Sequence, residues 1–222
     1  MFLDPMVKHT YPQELKELAQ KYHFMWEIMD EDEELIKDQS LKIDFLGVNY
    51  YQPMRVKCVD FIPDFANGVI TPHYFYQPYE MPGRRINPYR GWEIFPKGIY
   101  LTLMNLKEHY DNIPVYISEN GMGVENEERF LENEVINDQY RIDFVKEHLA
   151  WVHKAISEGS NCFGYHSWTY IDNWSWMNAY KNRYGFVQLD LTKNGKRSFK
   201  KSATFMAKIA ETSMLVDNEE LT

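Results

Sequence analysis

Short apolar segments alternate with amphipathic helical segments along this chain, and long loops follow the apolar segments. Strands are predicted over 43–50, 114–118 and 162–170, since each is short, apolar and bounded by turn residues. The apolar positions within 142–156 recur at helical spacing, and Gly159 predicts the end of that helix. This order is typical of parallel βα units, so we predict an α/β fold with its chemistry at the carboxyl ends of the strands.

Weaker sequence patterns predict the remaining helices, loops and turns of the chain. Residues 52–90 hold several prolines and are predicted to form a long irregular loop, of the kind that often carries function. The acidic run 30–34 is interpreted as a solvated helix start. Residues 1–222 are expected to form one domain, with a disordered tail over 212–222. The other predicted elements are helices over about 15–22, 99–110 and 199–210, a strand over 185–191, a turn over 192–195 and a loop over 120–137.

Composition and charge exclude several classes of protein. The 222 residues are 44% hydrophobic and 26% charged, the usual mix of a globular chain. The formal net charge of −9 disfavours general binding to nucleic acid or anionic membranes, since phosphates attract clustered Lys and Arg. The sequence has no bilayer-spanning apolar stretch and no visible secretion signal. Cys58 and Cys162 do not make a disulfide framework, so a reduced, cytoplasmic protein is expected.

Motifs for phosphate, metal and serine chemistry are absent from the sequence. There is no Walker A motif, no HExxH and no GxSxG, and the Gly-Met-Gly at 121–123 is a lone GxG without a third glycine. His148 and His153 are five residues apart on the predicted helix, which puts them on different faces. We therefore predict neither a metal nor a cofactor.

Two features at strand ends could carry chemistry. Glu119 follows the apolar strand over 114–118, where a carboxylate would emerge from the sheet, although the spacing alone favours a turn residue beside Asn-Gly. Trp168, Trp174 and Trp176 form either a surface that stacks on sugar rings or a Trp-rich core under a loop. The aromatic content of 16% fits both interpretations.

Three longer motifs and one tripeptide follow one another along the chain. They are Asp-Phe-Leu-Gly-Val-Asn-Tyr-Tyr (44–51), Tyr-Ile-Ser-Glu-Asn-Gly (116–121), Gly-Tyr-x-x-Trp-x-x-x-Asp-Asn (164–173) and Arg-Tyr-Gly (183–185). Together they resemble glycoside hydrolase family 1, the retaining β-glycosidases built on a (β/α)₈ TIM barrel. The resemblance runs from about Phe2 to about Glu211. It implies a partial barrel whose strands resemble the sixth, seventh and eighth of the family.

The resemblance also implies roles for individual residues. Glu119 aligns with the catalytic nucleophile, which attacks the anomeric carbon and forms a covalent glycosyl-enzyme. Tyr51 aligns with the tyrosine that hydrogen-bonds this nucleophile, and Asn49, two residues earlier, is predicted to share its face. Trp168 resembles the platform under the sugar in the reactive subsite, and Trp92 resembles the aglycone-side tryptophan.

The loop after the third strand bears on the choice of sugar. Simple β-glucosidases of the family carry a Glu where this chain has Ser175, whereas the 6-phospho-β-glycosidases carry a Ser, a Lys seven residues later and a Tyr two beyond that. Tyr184 matches that Tyr, but Asn182 stands at the Lys position, and the adjacent Lys181 is the candidate replacement. Trp176 resembles the phospho-galactosidases more than the phospho-glucosidases. The implied ligand is a phosphorylated β-glycoside.

One group that the family's reaction requires is absent from the sequence. The general acid/base of the family lies in an Asn-Glu-Pro motif, and the Asn-Glu pairs at 126–127, 133–134 and 218–219 lack the proline. We therefore predict a glycosidase fragment that is inactive or very poor by itself, and that self-associates or joins an N-terminal half-barrel. The alternatives are a non-catalytic protein for sugar-phosphate binding or assembly, and a fragment of an unphosphorylated β-glucosidase.

Overall fold

The chain divides into two compact units. A computed structural model describes residues 3–23, 30–38, 42–60 and 75–215. One unit comprises Met1–Leu46 and Met54–Met81, and the other comprises Gly47–Pro53 and Pro82–Thr222. No helix in the described ranges is long and apolar enough to cross a membrane. The single domain expected for the whole chain stays a prediction.

The described residues form six α-helices, eleven mostly short strands and two 3₁₀ turns. The helices are α1 (Leu3–Lys8), α2 (Gln13–Lys21), α3 (Asp30–Lys37), α4 (Lys97–His109), α5 (Gln139–Ser157) and α6 (Lys201–Thr212). The strands are β1 (Leu46–Asn49), β2 (Val56–Cys58), β3 (Tyr76–Pro78), β4 (Val115–Asn120), β5 (Val124–Glu125), β6 (Leu131–Glu132), β7 (Val135–Ile136), β8 (Cys162–Ser167), β9 (Asn182–Arg183), β10 (Val187–Asp190) and β11 (Lys196–Phe199). The 3₁₀ turns cover Glu127–Phe130 and Leu191–Lys193.

The first unit contains α1 to α3 and one short strand pair. Strands β2 and β3 pair antiparallel, with Cys58 opposite Tyr76. The segment predicted as an irregular loop over 52–90 therefore contains two short strands, and Pro78 is the last residue of β3. Residues 61–74 lie outside the described part. The acidic run 30–34 lies in helix α3, Asp30–Lys37, and the residues just before it lie outside the described part.

The second unit is built on a three-stranded sheet in the order β1–β4–β8. Strands β4 and β8 pair parallel, with Val115 opposite Cys162 and a register irregularity between Ile117 and Asn120. Parallel neighbours need a crossover connection, and α5 supplies it here. These are the three strands that the apolar segments predicted, so the α/β class is confirmed.

The core of the second unit lies against α5. The apolar face of this helix buries Ile142 and Val145 together with Phe205 of α6, and Ile117 of β4 is also fully buried. The helical spacing predicted over 142–156 is thus confirmed. Gly159 follows the helix with φ of 91°, a left-handed conformation that glycine adopts without steric cost.

The carboxyl-terminal segment differs from its prediction in one element. The predicted strand over 185–191 is observed as β10, and it pairs antiparallel with β11, which the sequence did not predict. Strand β11 reads Lys-Arg-Ser-Phe, so it has no apolar alternation to reveal it, and it is set by the pairing with β10. Helix α6 ends at Thr212, and residues 216–222 of the predicted tail lie outside the described part.

His148 of α5 is a buried histidine with one satisfied ring nitrogen. Its Nδ1 lies 2.7 Å from the Phe144 carbonyl oxygen, and its Nε2 has no partner among the described residues. Burial lowers the pKa of His148 to about 4, since desolvation disfavours the charged ring. The unfolded chain takes up this proton near pH 6.5 and the folded chain only near pH 4, so the folded state loses stability as the pH falls between those values.

We expect this histidine to contribute about 3 kcal/mol to the loss of unfolding free energy between pH 6.5 and pH 4. His148→Gln, which cannot titrate, should flatten the pH dependence measured by urea denaturation across that window. His153→Gln is the matched control, because His153 lies on the same helix and is exposed. Equal slopes for the wild type and His148→Gln would contradict the assignment.

Candidate active site

The Glu119 carboxylate lies half-buried near the carboxyl end of β4. The Tyr51 hydroxyl donates to its Oε2 at 2.7 Å. The backbone reinforces the pair, because the Tyr50 N–H donates to the Glu119 carbonyl at 2.8 Å. Burial and the adjacent Glu119 hold the pKa of Tyr51 far above its usual range, so this phenol stays a donor at neutral pH. The carboxylate is thereby held in a fixed orientation.

The two residues after Glu119 explain the Glu-Asn-Gly motif structurally. The Asn120 side chain donates to the Tyr50 carbonyl at 2.7 Å and accepts from the Tyr165 hydroxyl at 2.6 Å, so one buried amide links the three strands of the sheet. A Cβ at Gly121 would lie 1.9 Å from the carbonyl oxygen of Trp168. Only glycine fits at that close approach.

Aromatic rings and one arginine lie beside Tyr51, the residue that holds this carboxylate. The Trp92 ring meets Tyr51 edge-on at 5.6 Å between centroids. The guanidinium carbon of Arg90 lies 3.9 Å from the Trp92 ring centroid and 5.6 Å from that of Tyr184. The structure therefore brings together four residues that the sequence singled out or matched, Glu119, Tyr51, Trp92 and Tyr184, around a cation that it did not.

Arg90 escaped the sequence analysis because its position depends on a turn. Asn87 accepts the N–H of Gly91 at 2.8 Å and donates its side chain to the Gly123 carbonyl at 2.9 Å, which anchors the turn to the second unit. Gly91 has φ of 82°, and this reversal puts the Arg90 side chain over the ring of Trp92. The one feature of the sequence that could have indicated Arg90 is its position two residues before Trp92, which was already singled out.

Asn49 and Trp168 lie beside the carboxylate's strand. The Ser118 hydroxyl donates to Asn49 Oδ1 at 2.7 Å, while the next residue of β4, Glu119, accepts from Tyr51. Asn49 and Tyr51 therefore contact two consecutive residues of β4, so they do not share a face as predicted. The reason is that β1 ends at Asn49, and the alternation of side chains along a strand does not continue to Tyr51. Trp168 directly follows β8, and its N–H donates to the Asn120 carbonyl at 2.8 Å.

The loop singled out for phosphate has a defined turn. Ser175 and Ala179 exchange backbone hydrogen bonds of 2.9 and 2.8 Å. Trp176 on this turn is 96% exposed and makes no part of the cluster around Glu119. The Lys181 ammonium pairs with Glu125 at 3.2 Å, whereas Asn182 is buried in β9.

A buried network of charges lies behind the site. The Lys200 ammonium is fully buried, contacts Glu127 and lies 3.0 Å from Asp172 Oδ1. Arg141, equally buried, also contacts Glu127 and pairs with Asp138 at 2.9 Å. Each buried charge therefore has an opposite partner, which is the condition under which burial of an ion is tolerated.

This network holds the backbone that carries Tyr184. Arg141 donates to the Tyr184 carbonyl at 3.1 Å. Asp172 accepts the N–H groups of Gly185 at 2.9 Å and Leu189 at 3.3 Å. Asp172 occurs in one of the family motifs, but Lys200 was not predicted as functional, because nothing in the neighbouring sequence indicates that a lysine is fully buried.

The arrangement suits carboxylate chemistry. Within the described ranges, no three His, Cys, Asp or Glu side chains are grouped as metal ligands. What the cluster offers is one oriented carboxylate, a phenol fixed on it and aromatic faces beside it. A carboxylate so placed can attack an electrophilic carbon, and flat rings suit the apolar faces of a sugar.

A parallel sheet with such a carboxylate at its strand ends is typical of the glycoside hydrolases built on (β/α) barrels. Residues 1–214 match the family described as glycosyl hydrolase family 1, and the chain belongs to that family. The resemblance carried by the three motifs is thereby confirmed.

The relatives agree on the family and differ in their substrates. The chain is 54% identical to "6-phospho-beta-glucosidase GmuD" of Bacillus subtilis, over 96% of this chain and 45% of that protein. It is 33% identical to a "6-phospho-beta-galactosidase" of Clostridium acetobutylicum, over 99% of this chain and 48% of that protein. The chain thus spans about half the length of the curated relatives it matches.

Solved structures agree with the fold class. The "Family 1 b-glucosidase from Thermotoga maritima" superposes with a TM-score of 0.77 at 34% identity, over 97% of this chain and 44% of that one. This likeness confirms the predicted partial barrel.

Proposed function

We propose that this chain carries the nucleophile side of a retaining β-glycosidase site, with Glu119 as the nucleophile. The observation that carries the proposal is the 2.7 Å hydrogen bond from Tyr51 to the Glu119 carboxylate beside the Trp92 ring. In the first step, Glu119 attacks the anomeric carbon as the bond to the aglycone oxygen breaks, and that oxygen takes a proton from the general acid of the amino-terminal half-barrel. In the second, the same group, now a base, takes a proton from water as the water oxygen attacks the anomeric carbon and the Glu119 carboxylate leaves.

The substrate proposed is a 6-phospho-β-glycoside. Ser175 in place of an acidic residue removes a charge that would repel phosphate. The identity of 54% to a protein named a 6-phospho-beta-glucosidase supports the gluco sugar over the galacto preference that Trp176 suggested. A phosphorylated sugar does not cross a bilayer unaided, which favours a cytoplasmic reaction.

The proposal includes low activity for the 222 residues alone. The sequence holds no Asn-Glu-Pro, and a retaining mechanism needs a second carboxyl group ~5 Å from the nucleophile. Loss of general acid catalysis removes a factor of about 10²–10⁴. The test is release of nitrophenol from 4-nitrophenyl β-glucoside 6-phosphate by the chain alone and mixed with the amino-terminal half of the Bacillus subtilis relative. Activity in the mixture only is the expected result, and silence in both would contradict a catalytic role.

Tyr51→Phe tests the hydrogen bond in the reconstituted enzyme. The phenylalanine keeps the edge contact with Trp92 and loses the donor, so we expect kcat/KM to fall about 10–100-fold, the value of one hydrogen bond to a charged group. Tyr100→Phe is the matched control, because Tyr100 donates to Glu158 at 2.5 Å on the helical surface. An equal effect of both changes would argue against a special role for Tyr51.

We also propose that the chain self-associates or binds an amino-terminal half-barrel. Strands β1 and β8 form the two edges of the three-stranded sheet in the described structure. Beside β8 lies an open apolar groove of about 630 Å³, lined by residues that include the 60% exposed Phe163. Open strand edges and apolar surface favour association. Light scattering coupled to size-exclusion chromatography, on the chain alone and mixed with the amino-terminal half of the Bacillus subtilis relative, should detect a mass above 26.6 kDa in at least one sample, and a clean monomer of the chain in both would contradict the proposal.

A further inference from the structure

Arg90 is a cation without an acidic partner. Arg85, Arg141 and Arg183 each have a carboxylate within 4.0 Å, whereas no carboxylate in the described ranges lies that close to Arg90. Its Nε is buried and has no hydrogen-bond partner among the described residues. With no acidic partner in the described ranges, the half-buried guanidinium keeps a full positive charge that an anion can neutralise.

The guanidinium lies against the loop singled out for phosphate. Its central carbon lies 3.9 Å from the Trp92 ring centroid, a cation–π contact that holds the group beside this ring. In the orientation that satisfies its neighbours, the Asn178 amide oxygen accepts from Arg90 Nη1 at 3.0 Å and from Asn182 Nδ2 at 3.3 Å. Asn178 belongs to the turn closed by Ser175 and Ala179. Arg90 therefore adjoins both the Ser175 turn and the position where the 6-phospho-β-glycosidases carry their Lys.

We propose that Arg90 supplies the cation of a sugar 6-phosphate subsite that it forms with Asn182, Tyr184 and the Ser175 turn. The inference rests on the proposed function and names the group that makes the substrate phosphate recognisable. Asn182 is 2% exposed and its Oδ1 has no partner in the described structure, so the position of the missing Lys is polar but uncharged. Arg90 reaches the same place from a distant part of the chain.

The chemistry of an arginine fits this task. A guanidinium presents parallel N–H donors that match two phosphate oxygens, and such charge-assisted bonds are about twice as strong as neutral ones. Lys181 does not compete for the role in this structure, because its ammonium pairs with Glu125 and is 63% exposed. The Tyr184 ring, 5.6 Å from the guanidinium, completes the wall of the subsite.

The test is binding of glucose 6-phosphate and of glucose to the 222-residue chain by isothermal titration calorimetry. The wild type is expected to bind glucose 6-phosphate at least about tenfold more tightly than glucose. Arg90→Gln keeps a polar side chain near Asn178 and removes the charge. The dissociation constant for glucose divided by that for glucose 6-phosphate should therefore fall about 10–100-fold. Arg85→Gln is the matched control, since Arg85 pairs with Glu147 at 2.6 Å and is half exposed.

Two outcomes overturn the inference: a wild type that binds both sugars equally, or a natively folded Arg90→Gln variant that keeps the wild-type ratio. If circular dichroism shows Arg90→Gln to be unfolded, Arg90→Lys decides, because lysine keeps the charge without the fork. A drop in the ratio of about tenfold supports the inference, and an unchanged ratio overturns a bidentate arginine site.

Failure of this inference can be told apart from failure of the proposed function. Calorimetry detects phosphate recognition whether or not the reconstituted enzyme hydrolyses anything. Conversely, Glu119-dependent hydrolysis of the phosphorylated substrate that is indifferent to Arg90→Gln would leave the proposed function standing and overturn only the role of Arg90.

Discussion

Glu119→Gln is expected to lower hydrolysis of the phosphorylated substrate by a factor of about 10⁴ or more in the reconstituted enzyme. Glutamine has nearly the same shape and can still accept the Tyr51 hydrogen bond of 2.7 Å, but it offers no nucleophilic oxygen. The covalent intermediate therefore cannot form. Nitrophenol release under saturating substrate measures the effect directly.

Glu128→Gln is the matched control, because Glu128 is an exposed carboxylate on the 3₁₀ turn and lies outside the cluster around Glu119. A second variant, Glu119→Gly, tests which group attacks the anomeric carbon and not only whether activity is lost. Glu119→Gly leaves space for azide, which should attack the anomeric carbon as nitrophenolate leaves and yield an α-glycosyl azide. Retention of activity by Glu119→Gln, or a β-glycosyl azide from Glu119→Gly, would sink the assignment of the nucleophile.

Lys200→Met is expected to cost about 3–5 kcal/mol of unfolding free energy, since it leaves buried carboxylates without their cation. The Lys200 ammonium is fully buried between Glu127 and Asp172, and methionine fills a similar volume without charge. Asp172 also accepts the Gly185 N–H at 2.9 Å, so the damage should extend to the backbone carrying Tyr184. Urea denaturation of the wild type and the variant measures the cost.

Lys193→Met is the control for this change. Lys193 is 70% exposed and pairs with Asp190 at 3.4 Å, and exposed ion pairs contribute little. We expect its unfolding midpoint to stay near that of the wild type. If Lys200→Met were as stable as Lys193→Met, the buried network would not support the fold as its geometry indicates.

Local sequence patterns predicted the main strands and the long helix of the second unit, but not all of its short strands. The three strands and α5 followed from apolar periodicity, because burial on one face repeats along the chain. Strand β11 was missed, since its charged sequence forms a strand only by pairing with β10. The two short strands within 52–90 were missed for the same reason.

Some residues of the candidate site were predicted from the sequence, and one was found only in the structure. Glu119, Tyr51, Trp92 and Tyr184 were singled out from motifs, and the structure links them, since Tyr51 contacts Glu119 and Trp92 while Arg90 lies near the rings of Trp92 and Tyr184. Their roles stay predictions until the variants are measured. Arg90 was not singled out, because its position depends on the turn at Gly91 and on rings that come from distant segments.

The sequence by itself determined the family, the α/β class and the carboxylate that heads the candidate site, since these depend on short motifs and on regular spacing. Tertiary structure alone decided where the charges lie. It paired Lys181 with Glu125, buried Lys200 between two carboxylates, and set Arg90 beside the Ser175 turn without an acidic partner in the described part of the chain. The physical reason is that electrostatic interactions act through space, over distances that the order of residues along a chain does not encode.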